Sequence, residues 1–175
     1  MTGSFSLALR SLLWTALLPG FFAGFVPWRY FGLNAVSLDW QRPRVWAGLT
    51  LILLGVLLLG RCIWEFSRRG RGTLSPVDPP RELVVQGLYR YVRNPMYLSV
   101  TLIVFGEVMV GARTSLLVFW LIWFGFVNLF VVLYEEPVLR QQFGASYDAY
   151  TRAVRRWLPR LRPYRPAASD DRLRS

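Results

Sequence analysis

The chain has no histidine and no lysine, and its 175 residues include a single cysteine. Each absence removes a class of chemistry. Without histidine there is no imidazole to serve as a general base near neutral pH. One cysteine and no histidine leave no ligand set for a zinc or haem site. Cys62 alone cannot close an intrachain disulfide, and it reads as a small buried hydrophobe at the end of a helix. No Walker-type phosphate loop occurs, and Gly70-Arg71-Gly72 is a fragment of a dinucleotide fingerprint with no strand before it. A soluble nucleotide-binding domain is therefore not encoded. Acidic residues are also scarce, 10 against 21 basic ones, for a net charge of +11.

What is abundant is apolar. Hydrophobic residues make up 54% of the chain and mean hydropathy is +0.33, too high for an ordinary soluble domain. These residues are gathered into blocks. Crossing the hydrocarbon takes roughly 20 mostly apolar residues, and four stretches approach that length: Leu12 to Trp28, Val45 to Gly60, Met96 to Ala112 and Ser115 to Tyr134. The first contains Pro19 and Gly20, which predict a kink. It is read as a retained helix, because no small-x-small cleavage site follows it. The fold class expected is an all-α integral membrane protein with about four transmembrane helices and cytoplasmic amphipathic C-terminal helices.

The arginines orient these spans. Seven lie between Arg61 and Arg93 and nine follow Tyr134, whereas the turn between the third and fourth spans holds Arg113 alone. The positive-inside rule then places both termini and the central loop in the cytoplasm. In so apolar a chain, such basicity reads as topology and affinity for anionic lipid headgroups, not as nucleic-acid binding. Trp28, Trp46 and Trp64 fall at span ends, where an aromatic belt belongs. Trp120 and Trp123 lie inside the fourth span and read as packing residues.

A single membrane domain is expected over 1–175. It divides into an N-terminal helical hairpin (1–66), a cytoplasmic loop (67–95), a second hairpin (96–134), a cytoplasmic helical cap (135–160) and a flexible tail (161–175). Helix two runs on to about Arg68, with Arg61 and Glu65 spaced to pair at i, i+4. A turn or two of helix is expected from Leu88 to Arg93, stopped by the restriction Pro95 places on Asn94. Gly111 to Thr114 predicts a tight antiparallel hairpin. Gly144 predicts a break, followed by a helix capped by Ser146 and ending near Arg156. Phe143, Tyr147, Tyr150, Val154 and Trp157 would share one face of it, and Asp148, Arg152, Arg155 and Arg156 the other.

Two segments stand out chemically. Gly87-Leu-Tyr-Arg-Tyr-Val-Arg-Asn-Pro-Met-Tyr97 precedes the second hairpin, and Glu135-Glu136-Pro137 follows it. The hairpin returns both to one face of the membrane. Arginine can hold a carboxylate bidentately, carboxylates can take an ammonium group, and aromatic faces stabilise a cation such as a sulfonium. Those are the charged features of S-adenosylmethionine. Taken singly, the same glutamates read as a solvated helix end and the same arginines as topogenic charges.

The run from Leu83 to Tyr97 resembles the signature of the isoprenylcysteine carboxyl methyltransferase and phospholipid methyltransferase superfamily. So do Glu135 to Tyr150 and Val154-Arg-Arg-Trp-Leu-Pro159. The resemblance covers roughly residues 76 to 160. It implies a small helical membrane enzyme that binds S-adenosylmethionine at the cytoplasmic face and takes a membrane-dissolved lipid or prenylated small-molecule acceptor, with no metal. The all-arginine, lysine-free, proline-rich composition fits a GC-rich bacterial genome and hence a bacterial inner membrane. Gly87, Tyr89, Arg93, Asn94, Pro95 and Tyr97 would line the cofactor from one side. Glu135 and Glu136 would hold its amino acid or ribose end, and Tyr147 and Tyr150 would come from the covering helix. Arg93 and Glu136 are the expected catalytic pair. One departure is Asn94, where the eukaryotic carboxyl methyltransferases carry histidine, so any role of that imidazole passes to a neutral hydrogen-bonding amide. An NADPH-dependent sterol-type reductase and a non-enzymatic membrane adaptor are the competing readings.

Two polar residues lie inside the spans. Glu107 is expected to pair with Arg113 across the hairpin turn. Asn128, about two turns before Glu135, suits either contact with the acceptor or a hydrogen bond between helices.

Overall fold

The computed structural model describes residues 19–69, 83 and 85–165, without the side chains of 66–69. The expected first span before Pro19, most of the loop 70–84 and the tail 166–175 lie outside the described residues.

Every regular element among the described residues is helical. The chain enters through a π-helical turn, Phe21–Phe25, that runs into α1, Val26–Tyr30. A short 3-10 turn at Leu33–Ala35 leads to α2, Pro43–Arg69. A second 3-10 turn, Gly87–Arg90, precedes α3, Pro95–Gly111. Helix α4, Thr114–Phe130, comes after two residues, then a π-helical turn, Val131–Glu135, and α5, Glu136–Ala153. Both π turns end two residues before a proline, Pro27 and Pro137. Proline donates no backbone hydrogen bond and crowds the carbonyl four residues back, and widening the turn relieves both problems.

Helices α2 and α3 are antiparallel and their backbones nearly touch. A Cβ placed on Gly48 would stand 2.7 Å from the Gly106 carbonyl, and one on Gly55 would stand 2.7 Å from the Ser99 carbonyl. Small residues seven apart on each helix thus face one another, the way helices pack where no hydrophobic effect drives them together. Arg44 closes the far end by donating to the carbonyls of Met109 and Val110 at 2.6 and 2.8 Å. The expected hairpin forms, with Ala112 in the left-handed conformation. Between α3 and α4, Val100, Val104, Phe119, Trp123, Val127 and Val131 form the core. Trp120 and Trp123 pack there, donating to the carbonyl and hydroxyl of Thr101.

Two described helical runs, not four, are long and apolar enough to cross a membrane: Pro43–Glu65 and the continuous run Thr114–Ala153, apolar in its first half. The 17 residues of α3 span only about 26 Å, short of the hydrocarbon thickness. Trp28, Trp46 and Trp64 are all more than half exposed at helix ends, as an interfacial belt requires.

Two local expectations change and one holds. The turn after Gln86 is a single 3-10 turn and not a helix to Arg93, because the Arg93 amide bonds to the Arg155 carbonyl at 3.0 Å. The break expected at Gly144 is present: at φ +50° and ψ −126° it divides α5 into two helical segments, with Ser146 just after it. Helix α5 stops at Ala153, three residues before Arg156, with Val154 already extended. Trp157 therefore leaves the predicted apolar stripe and reaches into the hairpin.

Candidate functional site

The loop that leads into α3 is built on Glu65. This buried carboxylate at the end of α2 is held by Arg61 at 2.8 Å, the expected i, i+4 pair. It accepts the Leu88 amide at 3.3 Å. Gly87 sits at φ +55°, and its missing Cβ would fall on the Glu65 carboxylate. Glycine is needed there for conformation and space alike. The turn is thereby fastened to α2 before it delivers Arg93 and Asn94 to the head of α3.

Arg93 meets Glu136 across the hairpin. Its guanidinium lies 3.1 Å from Glu136 Oε1, with both side chains nearly buried. Arg156 grips the same carboxylate bidentately, Nε to Oε1 at 2.6 Å and Nη2 to Oε2 at 3.0 Å. Two guanidiniums thus share one carboxylate, the strongest class of side-chain hydrogen bond. Arg93 also hydrogen-bonds the Tyr147 hydroxyl.

Residues 154–165 form a strap running antiparallel to the loop. Backbone bonds join Arg93 to Arg155, Arg160 to Tyr91 and Tyr164 to Arg90, at 2.9 to 3.0 Å. Arg90 donates to the Tyr164 carbonyl at 2.7 Å and Asn94 Nδ2 to the Arg156 carbonyl at 3.3 Å. Tyr150, buried with Tyr147 and Val154, donates to the Tyr89 carbonyl at 2.6 Å. Desolvation holds the Tyr89 phenol well above its ordinary range, so it stays neutral. The cap is therefore a cover clasped to the loop.

Glu135 is placed differently from Glu136. Tyr97, one turn into α3, hydrogen-bonds its side chain, yet Glu135 Oε2 is buried with no hydrogen-bond partner. Arg93 Nε is likewise buried and unpartnered. Unsatisfied buried polar atoms are uncommon and costly, and here two of opposite charge flank the Arg93–Glu136 pair.

The structure thus brings together Tyr89, Arg93, Asn94, Tyr97, Glu135, Glu136, Tyr147 and Tyr150, with Pro95 buried at the first turn of α3, while Gly87 faces Glu65 at the end of α2. Asn128 stands apart from the carboxylates and accepts the Trp157 indole N–H at 3.0 Å. The expected Glu107–Arg113 pair does not form. Arg113 donates to the Ala35 carbonyl at 2.9 Å, and Glu107 Oε2 is buried without a partner. Three contributors escape sequence reasoning: Glu65, Arg156 and Trp157. Only a signal linking Gly87 to the end of α2 would expose the first. Periodicity places the other two in a helix that ends before them. No group of residues able to hold a metal ion occurs among the described residues.

An all-helical, membrane-type chain with an arginine–glutamate knot at the mouth of a short apolar hairpin defines a class of protein. Residues 43–146 match the phospholipid methyltransferase family, and the chain belongs to it. Membership carries methyltransferase activity directed at lipid and association with a membrane. Comparison with characterised proteins and with solved structures gives no match.

Proposed function

We propose that the protein transfers a methyl group from S-adenosylmethionine to a membrane-dissolved lipid or isoprenoid-type acceptor at the cytoplasmic face. The observation that carries this reading is the pair of buried, unpartnered atoms, Glu135 Oε2 and Arg93 Nε. A ligand with an ammonium and a carboxylate would satisfy both. Glu135 then takes the ammonium and Arg93 the carboxylate, while Glu136, already engaged by two arginines, holds Arg93 in place. Tyr89, Tyr97, Tyr147 and Tyr150 provide the neutral aromatic surround that suits a sulfonium.

The cofactor supplies an activated methyl group on sulfur. The chain's own residues bind, orient and exclude water, which is most of what such a displacement requires. No imidazole is needed for a carboxylate or thiolate acceptor; for an amine, Glu135, Glu136 or a tyrosine would be the candidates to take the proton. The acceptor arrives laterally along the exposed apolar faces of α2 and α4. A bacterial inner-membrane location with both termini cytoplasmic accommodates this arrangement.

The test is thermal stability of the detergent-purified protein with S-adenosylmethionine, S-adenosylhomocysteine and NADPH. A ligand that binds only the folded state raises the midpoint by mass action. Stabilisation by the two adenosyl compounds alone supports the proposal. Stabilisation by NADPH alone replaces it with a reductase, and no response to any of the three leaves the adaptor.

A further inference from the structure

The strap that closes the site carries a surface its packing does not use. Leu158 is 62% exposed and Leu161 is 99% exposed. These leucines do not sit on a loose end. Three backbone hydrogen bonds to the loop bracket them, and the preceding residue, Trp157, is anchored on Asn128 and packs tilted against Phe124 at 5.6 Å between ring centroids. Both partners belong to the apolar run of α4, so the strap is held at the edge of the hydrophobic layer. Between Val154 and Arg165 there is no acidic residue, and Arg155, Arg162 and Arg165 are exposed.

We infer that residues 155–165 dock on the anionic cytoplasmic leaflet. Leu158 and Leu161 enter the headgroup–acyl boundary, and the exposed arginines bind phosphate-bearing anionic headgroups. Apolar side chains beside clustered cations are the chemistry that selects such a surface: burial supplies affinity, and the negative surface potential attracts each basic residue near the membrane. A polynucleotide would use the arginines and leave the leucines in water. Because Arg156 of this strap holds Glu136, the docking surface and the site share one segment.

The experiment places an NBD fluorophore at position 161, using Leu161→Cys with Cys62→Ala, on the full chain in nanodiscs. One set contains phosphatidylcholine alone, the other phosphatidylcholine mixed with phosphatidylglycerol. Leu161 touches nothing in the fold, so the label leaves folding intact. Blue-shifted emission, quenched by shallow spin-labelled lipid and strengthened by phosphatidylglycerol, is the expected result. Arg162→Gln with Arg165→Gln then removes the dependence on phosphatidylglycerol. A water-like emission in both compositions overturns the proposal. Equal insertion in both overturns the assignment to an anionic surface. None of these readouts depends on methyl transfer, so a failure here is distinguishable from a failure of the methyltransferase reading.

Discussion

Arg156 holds both carboxylate oxygens of Glu136, at 2.6 and 3.0 Å, from a strap twenty residues further along the chain. It is the contact that makes the cover part of the site. Arg156→Ala leaves a nearly buried carboxylate with Arg93 alone. Losing a partly exposed charged partner is expected to cost about 1–3 kcal/mol, read as a lowered thermal midpoint. Arg156→Lys keeps the charge, loses the fork and falls between.

Neighbouring glutamates should separate cleanly. Glu136→Gln breaks a hydrogen-bonded ion-pair knot and should destabilise the fold by about 2–4 kcal/mol. Glu135→Gln removes a charge whose Oε2 has no partner and should leave the midpoint within about 1 kcal/mol. It should, however, abolish stabilisation by S-adenosylhomocysteine. Equal loss of ligand response in a stable Glu136→Gln protein would reverse the two assignments.

Gly87→Ala forces a left-handed backbone on alanine and drives a methyl group into Glu65. The strain alone costs about 1–2 kcal/mol, and displacing Glu65 also frees the Leu88 amide. Faster hydrogen exchange at residues 87–93, with α3 and α4 unchanged, is the expected signature.

The helix interface offers a purely structural test. Gly106→Val places atoms within contact of the Gly48 carbonyl and should lower stability by about 1–3 kcal/mol, through separation of α2 from α3. Glu107→Gln, by contrast, should be neutral or stabilising, since the carboxylate leaves a buried oxygen unpaired. Lost methyl transfer in a stable Glu107→Gln protein would give that residue a functional role.

Much of this architecture is readable from the chain. The hairpin follows from the punctuation at Gly111 and Thr114, and juxtaposition of Arg93 with Glu136 follows from the hairpin. The Arg61–Glu65 pair follows from helical spacing. The hidden part depends on long-range hydrogen bonding. Periodicity carries the last helix to Arg156, but pairing of the strap with Tyr91 and Arg93 outcompetes three more residues of helix. Similarly, Arg113 is close to Glu107 in sequence, yet the carbonyl it satisfies belongs to Ala35, seventy-eight positions earlier. Nothing local distinguishes Glu135 from Glu136; the difference arises from which side of the helix Arg156 approaches.

The wide turn at Val131–Glu135 holds one residue more than an α-helical turn would. Each added residue rotates the downstream helix by about 100° around the axis. The azimuth of the two acids is therefore set independently of the lipid-facing helix that carries them. Deleting one residue here would keep every side chain of the site and both flanking helices, yet aim Glu135 and Glu136 away from Arg93. Within this chain, the phase of a single turn governs whether the same residues compose a site.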